Sequence, residues 1–411
     1  MSQLFLILSF LSYLFLKEKG NIRSGVFLLL VSFYSWQLLS FIYHLFANGF
    51  DTSAIALAWK GELKDIFLVS AFFVLQGVKE DDKTKISKAF QIFAYTILVT
   101  GFVSIFSETR LSRIISDLYR TSLTWPFQHH YGSFWGIDLY LPIGLMNTHL
   151  TFGGLTSFVF PFFFFKAYDA WKQHLQIKEK FIRTISFLLI TIVFLFNSAR
   201  SAMLGSAVSI LLGIYILTII NKEFSKKTIR NVLALLALLV ISLGVLYFVP
   251  SPIQKIIQPI FGSEKHTDSG RTFIWDSTFP LIKSNPIFGI GAGAYPKEIE
   301  ISRKAKELEH PELAYFYEVT QRGHAHNDYF HLATIFGIPQ VVLYLLLGGF
   351  IVFGMLNNQL PREHLFMVLS LSGFFFSGLL QCYFQDDEVL IMFYFLLGYY
   401  QLFQTKDESF Q

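Results

Sequence analysis

Long apolar runs separated by short polar punctuation dominate the chain. The runs fall near 1–16, 25–46, 58–78, 89–106, 148–165, 184–196, 202–220, 231–249, 338–354, 366–380 and 389–403. Each is read as a bilayer-crossing helix, for which about 20 mostly apolar residues are needed. The unbroken phenylalanine-rich stretch over 158–165 argues against a membrane β-barrel, whose strands alternate with period two. The expected fold is therefore all-α: a polytopic helical membrane protein with about 11 transmembrane helices. Neither a basic leader nor a small-residue cleavage site flanks the first run, which is read as a retained span.

The polar connections orient the bundle. Counted on alternating sides, one set of loops holds 18 Lys and Arg, almost all in short segments. The other set holds 13, of which nine sit in the single long stretch 250–337. Positive charge in short loops marks the cytoplasmic side, so 107–146 and 250–337 are expected outside. The long stretch is rich in Phe, Tyr and Trp and is expected to form short amphipathic helices on the outer membrane surface. Three regions follow: 1–249 with the first eight spans, 250–337 as an extracytoplasmic loop domain, and 338–411 with the last three spans and a cytoplasmic tail.

Composition agrees with this reading. Hydrophobic residues make up 53% of the 411 and charged residues only 15%, against about 25% charged in soluble domains. A net charge of +4 points to no nucleic-acid partner, and the single Cys382 leaves no internal disulfide or cysteine-based zinc site. Cys382 is expected to be a packing residue near a helix end.

Candidate chemistry gathers on the outer face. Arg200 follows Asn197, Ser198 and Ala199 between two apolar spans, and an ionisable group at that depth marks a functional site. Arg271 sits in the run Ser269, Gly270, Arg271, followed by Trp275; beside Arg200 it could supply the second fork of a diphosphate clamp. Glycines at 289, 291 and 293 have the wrong spacing for a dinucleotide loop and no strand before them, so they are read as tight backbone. The run His324, Ala325, His326, Asn327, Asp328 offers two imidazoles just before a helix that Asn327 or Asp328 would cap. Imidazole is the side chain best suited to take a proton from a hydroxyl near neutral pH. Its partial likeness to a hydrolase metal motif lacks the adjacent histidine, because Tyr329 stands there.

These residues resemble the O-antigen ligase and polymerase superfamily. The series Ser269, Gly270, Arg271, Trp275, Pro286, Gly289, Ile290, Gly291, then His324 to Asn327 before an apolar span, carries the likeness. Ligases have a histidine followed by Asn, Ser or Gln, nine residues, and a glycine. Here His326, Asn327 and Gly337 match, while Gln340 departs from the family's last position. The resemblance implies a GT-C-like fold and an inverting, metal-independent glycosyltransferase without a cofactor. It also implies a bacterial cytoplasmic (inner) membrane location with the site facing the periplasm. The donor would be a glycan on undecaprenyl diphosphate, the acceptor lipid A-core, and the surroundings membrane lipids. Arg200 and Arg271 would bind the diphosphate and His326 would be catalytic, with His324 and Asn327 as supports. A polymerase using the same donor and a protein O-glycosyltransferase are the nearest alternatives. A polysaccharide transporter or flippase would need polar groups deep in several spans and, often, an internal repeat; none is found.

Two weaker features complete the reading. Lys60, Glu62, Lys64 and Asp65 are expected to pair mainly with one another. The stretch 124–131 with Trp135 is expected to belong to an interfacial aromatic belt.

Overall fold

The computed structural model describes residues 25–47, 51–76, 82–117, 127–134, 136–173, 175–221, 265–320, 322–357 and 360–403. The spans expected over 1–16 and 231–249, and the aromatic stretch 124–126 with Trp135, lie outside the described residues. The protein is a helical membrane protein. Among the described residues five helices are long and apolar enough to cross a bilayer: Gly25–Ala47, Lys83–Ile105, His149–Lys172, Arg200–Ile220 and Ile338–Asn357.

Two compact units divide the chain. One comprises Met1–Lys83, Lys265–Leu360 and Phe374–Gln411, and the other Thr84–Glu264 and Pro361–Gly373.

The second unit is built around His149–Lys172, much the most buried of the five membrane-length helices. Thr148 starts it by accepting the backbone N–H of Thr151 at 3.1 Å, which satisfies one of the orphan donors of a helix start. Its phenylalanines then face inward: Phe162 meets Phe90 edge-on at 5.3 Å, and Phe165 stacks on Phe366 at 5.0 Å. At the far end Asp169 pairs with Arg362, and Lys166 with Glu363 at 3.0 Å. The connection 107–146 contributes a short helix, Leu111–Asp117, and an antiparallel hairpin of His130–Phe134 with Ile137–Tyr140.

In the first unit Gly25–Ala47 packs on Ile338–Asn357, and Ser70–Gln76 on Asp387–Gln401. The stretch 265–336 does carry helices, at Lys265–Ser284, Tyr295–Glu309, Ala314–Val319 and Asp328–Phe336. A glycine-rich turn locks them to the bundle. Ile290 and Gly291 donate to the carbonyls of Thr334 and Ile335, and Ile338 to that of Pro286. Gly289 (φ 67°) and Gly337 (φ 86°) sit in left-handed backbone with no room for a side chain. A Cβ on either would run into the carbonyl of Ile335 or Ile287. Trp36 and Ser40, one helical turn apart, donate to Phe336 and Phe288 carbonyls at 2.8 and 2.7 Å.

Two apolar runs differ from expectation. The run 58–78 is not one helix but Thr52–Lys60, a 3-10 turn Leu63–Val69 and Ser70–Gln76. The first helix ends at Gly61, and next to it the Glu62 carboxylate accepts the N–H of Gly293 at 2.7 Å and the amide of Gln385 at 3.1 Å, tying the chain to distant partners. The run 366–380 divides into Arg362–Val368 and Ser370–Ser377. Ser370 and Ser372 hydroxyls bond carbonyls three residues back and compete with the helical ladder. Lys64 does attract Asp65 and Glu62 as expected, but its direct ion pair is with Asp387 at 3.2 Å.

Candidate functional site

The site is assembled on the histidine segment 324–328. Its C-terminal end is a helix start: the Asn327 side chain accepts the N–H of Phe330 at 2.9 Å and caps Asp328–Phe336. The same amide donates to the Leu379 carbonyl at 2.9 Å. Asp328 is fully buried; its backbone N–H donates to Gly378, and its carboxylate accepts the N–H of Phe384 at 2.9 Å. Buried Cys382 donates to the same carboxyl, which burial raises to about 7. Asp328 thus turns away from the two histidines. Among the described residues no group of three His, Cys, Asp or Glu side chains is gathered to hold a metal ion.

On the N-terminal side, Trp275 donates its indole N–H to the Ala325 carbonyl at 2.8 Å and meets Phe330 edge-on at 5.9 Å. Trp275 lies on Lys265–Ser284, one turn beyond Arg271, so the two share a helix face. Between these anchors His326 adopts a left-handed backbone (φ 50°), a conformation that costs a non-glycine residue about 1–2 kcal/mol. Its ring stands 4.5 Å from that of His324, edge to face. The backbone N–H of His326 donates to His324 Nδ1 at 3.2 Å, and His326 Nδ1 lies 2.9 Å from Gln381 Oε1.

The electrostatics favour neutral rings. Burial, then the neighbouring imidazole, pushes His324 down to about 3. His326 is lowered by burial and by the positive charge of Arg271, against the opposing bond to Gln381. Behind them His331, 1% exposed, is held well below the usual imidazole range by burial. It faces Tyr295 at 5.0 Å between rings and Glu62 at 3.7 Å.

Arg271, His324, His326 and Asn327 are therefore brought together in the first unit. Arg200 lies in the second, as the opening residue of Arg200–Tyr215. The turn before it is firmly built: Ser198 is left-handed (φ 54°), and buried Asn197 donates to the carbonyls of Pro142 and His149, both at 2.9 Å. Another arginine of the long connection has a different part. Arg303 is completely buried and donates to Tyr317 and Thr320 carbonyls at 2.7 and 3.1 Å, fastening 317–320 to Tyr295–Glu309.

Residues 185–345 match the family model described as O-antigen ligase. Over this stretch the chain is similar to the O-antigen ligase family. Arg200, Arg271, His324, His326, Asn327 and Gly337 all fall within it, and the family is one of glycosyltransferase-like enzymes. Gln381 and the 378–384 segment that buttresses the histidines lie beyond the O-antigen ligase match. No curated protein matches the chain. Sequence reasoning missed Gln381, whose only signal is a polar residue between apolar Leu380 and Cys382.

Proposed function

We propose that the protein transfers O-antigen glycan from undecaprenyl diphosphate to lipid A-core at the periplasmic face of the bacterial inner membrane. One observation carries the reading. His326, within the family match, is a largely enclosed imidazole kept neutral beside the guanidinium of Arg271. A base and a fixed cation are the two groups needed to deprotonate a hydroxyl and receive an anionic leaving group.

In the reaction the acceptor hydroxyl gives its proton to a ring nitrogen of His326 as its oxygen bonds to the anomeric carbon. The carbon–oxygen bond to the diphosphate breaks on the opposite face, inverting that centre, and the electron pair stays on the diphosphate. Arg271 receives that charge as a guanidinium fork. His324 and Asn327 hold the backbone of His326. These chain groups supply proton transfer and charge stabilisation without a cofactor.

A His326→Ala strain tests the assignment. It is expected to make lipid A-core without O-chain while keeping carrier-linked polymer of normal length. Collapse of that polymer to single repeats would instead assign the protein to the polymerase branch.

A further inference from the structure

Beyond the family match, the segment 378–384 is stitched to the histidine segment at four points. Gly378 and Leu379 offer carbonyls to the Asp328 N–H and the Asn327 amide, Gln381 meets His326, and Phe384 donates to Asp328. Gln381 is thereby fixed, with 5% of its surface exposed. Its amide oxygen can only accept a hydrogen bond, so the ring nitrogen facing it, His326 Nδ1, must carry the hydrogen. The other nitrogen, Nε2, is then left with its lone pair.

We propose that Gln381 is a positioning residue that fixes the tautomer of His326, reserving Nε2 to take the proton of the acceptor hydroxyl. The proposal rests on the reading of His326 as the base. It gives Gln381 the part that a buried carboxylate plays behind the histidine of a serine hydrolase, with one difference. A neutral amide orients the ring without adding negative charge, so the imidazole keeps a low proton affinity. The charged and titratable groups around His326 push one way, stay neutral or are turned aside. Arg271 opposes protonation of the ring, and His324, pushed down to about 3, is neutral beside it. His331 lies behind His324, at 6.5 Å between rings, and Glu62 lies behind His331. Asp328 is committed to Phe384 and Cys382.

Three full-length proteins test it: wild type, Gln381→Leu and Gln381→Glu, each labelled with 15N-histidine in lipid nanodiscs. The His326 signals are identified by their loss in His326→Asn. Wild type is expected to show a protonated Nδ1 and a bare Nε2. Gln381→Leu should move the ring toward the other tautomer and lower kcat at least about tenfold, with KM for the lipid-linked donor within about twofold. Gln381→Glu should restore the wild-type tautomer and bring kcat back to within about threefold. Its carboxylate favours the imidazolium, so the acid limb of the pH profile should rise by about one unit or more. A merely space-filling role would leave the tautomer unchanged in Gln381→Leu. A hydrogen on Nε2 in the wild type overturns the proposal, as does a Gln381→Leu protein with unchanged tautomer and kcat. Should His326→Ala transfer glycan at the wild-type rate, the functional reading falls, and the ring signals alone decide the assignment of Gln381.

Discussion

The indole N–H of Trp275 donates to the carbonyl of Ala325 at 2.8 Å, tying the helix that bears Arg271 to the residue between the two histidines. One side chain therefore couples the spacing of the guanidinium to that of the imidazole. Trp275→Phe keeps an aromatic side chain but removes this bond together with part of the indole's packing. It is expected to cost about 1 kcal/mol of stability and to lower kcat several-fold. A thermal melt and a transfer assay on the same preparation measure the two effects separately.

The two arginines are expected to tolerate lysine poorly. A guanidinium presents two parallel donors to a phosphate, whereas an ammonium is a point charge. Arg271→Lys and Arg200→Lys should each lose at least about tenfold in kcat/KM with a defined undecaprenyl-diphosphate oligosaccharide. Full activity in either variant would remove that arginine from the donor site.

The pH profile should place the acid limb of kcat/KM below the ordinary imidazole value near 6.5, because His326 is lowered. The sign follows directly. A depressed proton affinity keeps the base neutral through neutral pH, and activity is lost only as the pH falls through the lowered value. Replacing Arg271 by alanine removes a positive neighbour, so the limb should shift to higher pH in whatever activity remains.

Gly337→Ala places a methyl group against the Ile287 carbonyl in left-handed backbone. A loss of more than about 2 kcal/mol is expected, seen as a lower melting temperature and a poor yield of folded protein. Gly349→Ala, in the helix that follows, meets nothing within 4 Å and should melt within a few degrees of wild type. Equal melting of the two variants would show that the turn at 337 is not under steric control.

Much of this arrangement is legible in the residues themselves. The capping role of Asn327 follows from a short polar side chain before an apolar run, and its amide does cap Asp328–Phe336. Gly337, singled out through its resemblance to the ligase motif, stands where only glycine fits. The long helices are likewise written in their apolar runs. What is not legible is partnership across the chain. Glu62 sits in an apolar stretch that reads as a span, and its bonds to Gly293, 231 residues away, and to Gln385 hold the chain where the helix ends at Gly61. Gln381 lies 55 residues from His326, in a segment with no periodicity. The two histidines are visible as a pair, but the packing that keeps them neutral comes from residues no local pattern connects.

The histidine segment is fastened independently on both flanks, to Trp275 on one side and to 378–384 on the other. A segment braced in this way keeps its order without drawing on a bound ligand. On the proposed reading the base is held by the fold itself, so a change of glycan leaves its position untouched.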